Sequence, residues 1–76
     1  MPIYYFHLRG EGFEVPDLAG KECSDAGAAR AEAERLVAEI LETARLSGEP
    51  PLAATVEVDD EQLRPVLTLP LAATAI

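Results

Sequence analysis

Two side chains in the sequence stand out as a candidate base and a candidate nucleophile: His7 and Cys23, each the single residue of its type. A Cys–His dyad needs a stabilised thiolate with the imidazole within hydrogen-bond reach. Cys23 comes just before the start of an expected helix, where the helix dipole would lower a thiol pKa. No third group to orient a base can be identified. The simpler reading is a half-buried cysteine and a strand histidine that faces an interface, and the sequence is read as that of a non-enzyme.

The other candidate constellations fare no better. The run Glu57-x-Asp59-Asp60-Glu61 invites a calcium reading. Calcium loops need oxygen ligands at alternating positions, a glycine at the sharp turn and a closing bidentate glutamate. These acids are instead crowded into a turn without glycine, so a solvated turn is expected. Glu11, Glu14 and Asp17 could be imagined as carboxylates for acid–base work, but nothing places them in a pocket. One Cys and one His cannot close a zinc site, which takes four ligands. No phosphate-binding glycine loop or serine nucleophile elbow is present. No catalytic residue, cofactor or metal is therefore expected.

Charge narrows the partners. Fourteen acids against six bases give a net charge of -8. The bases are Arg9, Lys21, Arg30, Arg35, Arg45 and Arg64, scattered and mostly beside acids. Nucleic-acid binding rests on Lys and Arg neutralising phosphates, so binding to nucleic acid or to an anionic membrane is disfavoured. The acidity serves solubility, or, as a sharper alternative, attraction to a basic protein partner. No apolar run reaches the roughly 18 residues of a membrane span, and the N-terminus lacks the basic and apolar regions of a signal peptide. With a lone cysteine, a cytoplasmic location is expected.

The elements that would position these residues follow from local pattern. Ile3 to Leu8 is β-branched and aromatic, a strand signal. Its period of two puts Tyr4, Phe6 and Leu8 on one face and Ile3, Tyr5 and His7 on the other. Arg9-Gly10-Glu11-Gly12 reads as a turn, Phe13-Glu14-Val15 as a short return strand limited by Pro16, and Asp17-Leu18-Ala19-Gly20 as a second turn. Lys21-Glu22-Cys23 is a short extended piece. A helix is expected over Ala26 to Leu46, with Ser24 or Asp25 as N-cap. Its apolar stripe is Ala29, Ala33, Leu36, Val37, Ile40, Leu41 and Ala44. Arg30/Glu34 and Arg35/Glu39 can pair across a turn, and Gly48 supplies an αL stop. Ala54 to Val58 and Leu63 to Leu71 alternate around the polar Asp59-Asp60-Glu61-Gln62, which predicts a hairpin. Residues 71–76 carry no cap or partner signal and are expected to fray.

The sum is one small α+β domain over residues 1–76, an antiparallel sheet of three to four strands with one helix on one face, in the order β-(β)-α-β-β. A chain of this size buries only roughly 60% of its unfolded surface. The usual helpers are disulfides, metals or oligomerisation; a single Cys23 cannot form an internal disulfide, and no metal site is expected. One helix covers one sheet face. The other should carry Ile3, Tyr5 and His7, with Val66 and Thr68, and these five are the candidate interface. The expectation is a small binding module, homodimeric through that helix-free face or a sheet edge.

Taken in order, MPIYYFHLRGEG, PDLAGKECSD, AARAEAERLVAEIL, VEVDDE and VLTLPL resemble a family of short alphaproteobacterial proteins catalogued only as a domain of unknown function. The resemblance covers nearly the whole chain and supports the fold without implying an activity. The sequence departs from the pattern in the last hairpin, where a glycine is expected and Asp59-Asp60-Glu61-Gln62 stands. Pro16-Asp17-Leu18-Ala19-Gly20 and the helix after it also resemble the first half of the HicB-like antitoxin domain. That likeness implies a dimer that masks a basic toxin, without the DNA-binding segment such antitoxins often add.

Overall fold

The structure is a computed structural model, and it describes residues 1–48 and 53–71. The aromatic and β-branched opening forms β1, Ile3–Gly10. It is followed by β2 (Phe13–Val15), β3 (Lys21–Glu22), the helix α1 (Ala26–Ser47), β4 (Ala54–Asp59) and β5 (Pro65–Pro70). All pairings are antiparallel, in the order β2-β1-β4-β5, with β3 beside β2 on the same edge of β1. This is the α+β architecture expected from the sequence.

Strand β1 runs two residues past its predicted end because it is paired on both sides there. Arg9 faces Glu14 and Thr55, and Gly10 faces Phe13 and Ala54. The turn shrinks to Glu11-Gly12, with Gly12 at φ 84°.

The helix has the predicted caps. Asp25 is the N-cap, and its carboxylate accepts the Ala28 N–H at 2.8 Å. Gly48 ends the helix in the left-handed region at φ 74°, and its N–H donates to the Arg45 carbonyl at 3.2 Å. Both predicted pairs form: Arg30–Glu34 at 3.3 Å and Arg35–Glu39 at 3.5 Å.

The period of two sorts the sheet. On the helix side Phe6 faces Val58 and Leu8 faces Val56, with Leu69 and Leu67 beyond them on β5. Val56, Val58, Ala29, Ala33 and Leu71 are fully buried, with Tyr4, Cys23 and Ala54 nearly so. Leu36, Val37, Ile40 and Leu41 pack on this core but stay partly exposed. The helix lies chiefly over β4 and β5. Ala29 and Ala33, both fully buried, present only methyl groups to the sheet.

Three expectations change. Leu71, assigned to the fraying tail, is fully buried, and its N–H donates to the Ala54 carbonyl at 2.9 Å. Residues 72–76 lie outside the described residues. Strand β5 begins at Pro65 rather than Leu63, because Leu63 closes the turn with φ 64°. Finally, Val58 faces Leu67 while Asp59 faces Pro65, so Val66 is the extra residue of a β-bulge. A bulge breaks strict alternation. Val66 is therefore packed against the core instead of lying on the helix-free face with Thr68.

Candidate functional site

Strand β1 is paired by β3 at Ile3 and Tyr4 and by β2 from Leu8 to Gly10. Between them, no strand among the described residues pairs with Tyr5 to His7 on that side. The loop of residues 16–20 fills the gap through Asp17. The Phe6 N–H donates to Oδ2 of Asp17 at 3.0 Å. The Asp17 N–H donates in return to Nδ1 of His7 at 3.0 Å. The other carboxylate oxygen, Oδ1, accepts the N–H groups of Ala19 and Gly20 at 3.2 and 3.1 Å. One aspartate thus replaces a rung of the sheet and closes its own turn.

His7 also looks across to β4, where Nε2 lies 3.3 Å from Oδ2 of Asp59. The two contacts fix the ring. Turning it over would set carbon against both partners. Nδ1 accepts a hydrogen bond, so the proton of the neutral ring is on Nε2, toward Asp59. The one lone pair of the imidazole is spent on a backbone N–H. A general base needs that lone pair free for substrate.

Burial raises the Asp17 carboxyl pKa, but the N–H groups of Phe6, Gly20 and Ala19 outweigh it, and the net shift is downward. Cys23 moves the other way. Its thiol is buried beside Tyr4 and Ala29 in the core, and its N–H donates to the Pro2 carbonyl at 3.0 Å. Burial first, then the Glu32 carboxylate, push the thiol pKa up. This reverses the lowering expected from the helix dipole. Cys23 is on the helix side of the sheet and His7 on the opposite side, so the structure does not assemble the dyad.

The acidic run is divided among separate tasks. Glu57 lies 3.5 Å from Arg9, the Asp59 carboxylate lies 3.3 Å from the His7 ring, and Asp60 accepts the N–H groups of Gln62 and Arg64 at 2.9 Å each. Among the described residues no three His, Cys, Asp or Glu side chains are grouped to hold a metal.

Of the five predicted interface residues, Ile3, Tyr5, His7 and Thr68 share the helix-free face. His7, Glu57 and Thr68 form one row across β1, β4 and β5. The Tyr5 and His7 rings are near parallel, 10° apart with centroids at 6.4 Å. This face is less open and less apolar than the sequence suggested. Gly20 lies against Ile3 and Tyr5, and Arg9 pairs with Glu14 at 2.9 Å.

The exposed apolar surface lies elsewhere. Phe13 faces Gly10 and Val15 faces Leu8, which puts both on the helix side of β2, the strand farthest from β5. Phe13 is 38% exposed and Val15 55%. Sequence reasoning missed this margin. Its signal was the alternation Phe13-Glu14-Val15, with two apolar residues on one face of a strand too far out for the helix to cover.

The basic residues are all engaged. Arg9, Arg30, Arg35, Arg45 and Arg64 each pair with an acid, and Lys21 meets Glu32 at 3.1 Å. No helix of the described residues is long and apolar enough to cross a membrane.

Comparison with known proteins finds no curated protein and no solved structure that matches. One family model does match, over residues 3–72, which spans every strand and the helix described above. The chain therefore belongs to the family described as Domain of unknown function (DUF6894).

Proposed function

We propose that this domain is a non-catalytic binding module that pairs with a second copy of itself through the β2 margin of its sheet. One observation carries the reading: Phe13 and Val15 stay exposed, side by side, while the fully buried core is built of small residues and Leu71. A small domain with a thin core gains most by burying such a margin against another chain.

Every basic residue is paired with a neighbouring acid. The six pairs leave most of the acidic excess unneutralised, so the choice of a second copy rests on the apolar margin and not on charge. The margin itself is free of charge, since Glu14 points to the opposite face with Arg9. Two chains of net charge -8 can meet there without opposing their acids. The engaged state of His7 and the raised thiol of Cys23 support the non-catalytic part of the reading.

Sedimentation equilibrium tests the proposal. Wild type should self-associate, and Val15→Glu should be a folded monomer, because Val15 is exposed and its change leaves the core intact. A wild type that stays monomeric removes the proposal. A basic protein from the same cell that binds the monomer in a salt-sensitive way would favour the masking role instead.

A further inference from the structure

We propose that His7 is a proton-operated latch for the loop of residues 16–20. The latch is the bond from the Asp17 N–H to Nδ1 of His7, 3.0 Å long. It exists only while Nδ1 has no proton. Protonating that nitrogen turns an acceptor into a donor and sets N–H against N–H. The Asp17 amide has no freedom to rotate away, because its own carboxylate is tied to Phe6, Ala19 and Gly20. The loop must then move as a unit.

The charged surroundings let the proton arrive. Asp59 on β4 lies 3.3 Å from Nε2, Glu57 faces His7 directly across the ladder, and the Asp17 carboxylate stands beside the ring in the loop. On β1 itself Tyr5 stacks parallel to the ring and Arg9 is two residues away. On this face Arg9 is held by Glu14 and Glu57. Three carboxylates therefore attract a positive imidazole that the backbone bond excludes. An unperturbed imidazole changes charge between pH 5 and 8, which sets the range to search. The Asp17 carboxyl, shifted down by its N–H donors, stays ionised throughout and does not confuse the readout.

Release of the loop would bare two things. Gly20 would lift from Ile3 and Tyr5, and the Phe6 N–H would lose its acceptor in the gap between β2 and β3. The helix-free face would then open, on the side of the sheet opposite the Phe13–Val15 margin. The latch does not depend on self-association.

NMR spectra of the full chain from pH 8 to pH 5 test this. The His7 ring carbons report its protonation, and hydrogen exchange at the Asp17, Ala19 and Gly20 amides reports the loop. As the ring titrates, protection of these amides should fall by about tenfold, the upper end of what one hydrogen bond is usually worth. His7→Asn keeps an acceptor near Nδ1 without the titration, so it should keep the loop protected at both ends of the range. A ring that titrates while the amides stay protected overturns the proposal. So does a ring that does not titrate between pH 8 and 5, and so does an equal loss of protection in His7→Asn.

Discussion

Gly20 lies flush against Tyr5: a Cβ on Gly20 would stand 2.9 Å from Cε1 of the ring. The same position has φ 76°, where only glycine is at ease. Gly12 has a similar φ of 84°, but a Cβ there would meet open space. Gly20→Ala should therefore cost more than Gly12→Ala. Urea denaturation should show about 1 kcal/mol for Gly12→Ala, the backbone cost alone, and about 1–3 kcal/mol more for Gly20→Ala from the added clash. Equal losses would mean that the loop does not sit on Tyr5.

Asp17 closes its turn and completes the edge of β1 with one side chain. Asp17→Ala leaves the Phe6 N–H and two loop N–H groups without their acceptor, and should destabilise by about 1–3 kcal/mol. Its pH dependence has a definite sign. The folded pKa lies below the unfolded value of about 3.9. The contribution is thus complete above that unfolded value and is lost as pH falls through the lower, folded one. With His7→Asn as the background, where the latch does not titrate, the stability gap on adding Asp17→Ala should be constant from pH 7 to pH 5 and narrow only in the acid range below.

The turn of the last hairpin, expected over Asp59-Asp60-Glu61-Gln62, closes one residue later, at Leu63. Leu63 takes φ 64° in the turn, 66% exposed, with its N–H bonded to the Asp60 carbonyl at 2.9 Å. A leucine is strained there. Leu63→Gly should raise stability by up to about 1 kcal/mol, since the strain relieved exceeds the entropy glycine adds to the unfolded chain. A loss of stability would mean that the Leu63 side chain has a role in packing.

Cys23 should behave as a core residue. With the thiol buried and its pKa raised, alkylation at neutral pH should be about 100-fold slower in the folded protein than in urea, because the group reacts only through opening. Rapid labelling of the native state would contradict the burial.

How far the sequence reached can be seen residue by residue. The helix was legible because its signals are local: Asp25, the alanine–leucine stripe and Gly48 each act within a few residues. The alternation of Ile3 to Leu8 correctly divided Tyr4 and Phe6 from Tyr5 and His7. What could not be read was anything set by distant partners. The extension of β1 to Gly10 depends on Ala54, and the place of Val66 depends on a bulge against Val58 and Asp59. Burial of Leu71 depends on a bond to Ala54. Asp17 reads in the sequence as part of a plain turn with no pocket around it, but its carboxylate also bridges β1 across a gap between two short strands. The exposure of Phe13 and Val15 depends on the helix lying over β4 and β5, far from β2, which no local pattern shows.

The proposed seam between two copies of the chain is the Phe13–Val15 margin. Sedimentation equilibrium of wild type and Val15→Glu up to about 1 mM tests it, since even an association worth only about 4 kcal/mol is visible there. Wild type should form a concentration-dependent dimer and Val15→Glu should be a folded monomer. A wild type that remains monomeric over the whole range, or a Val15→Glu variant that dimerises as well as wild type, would contradict it.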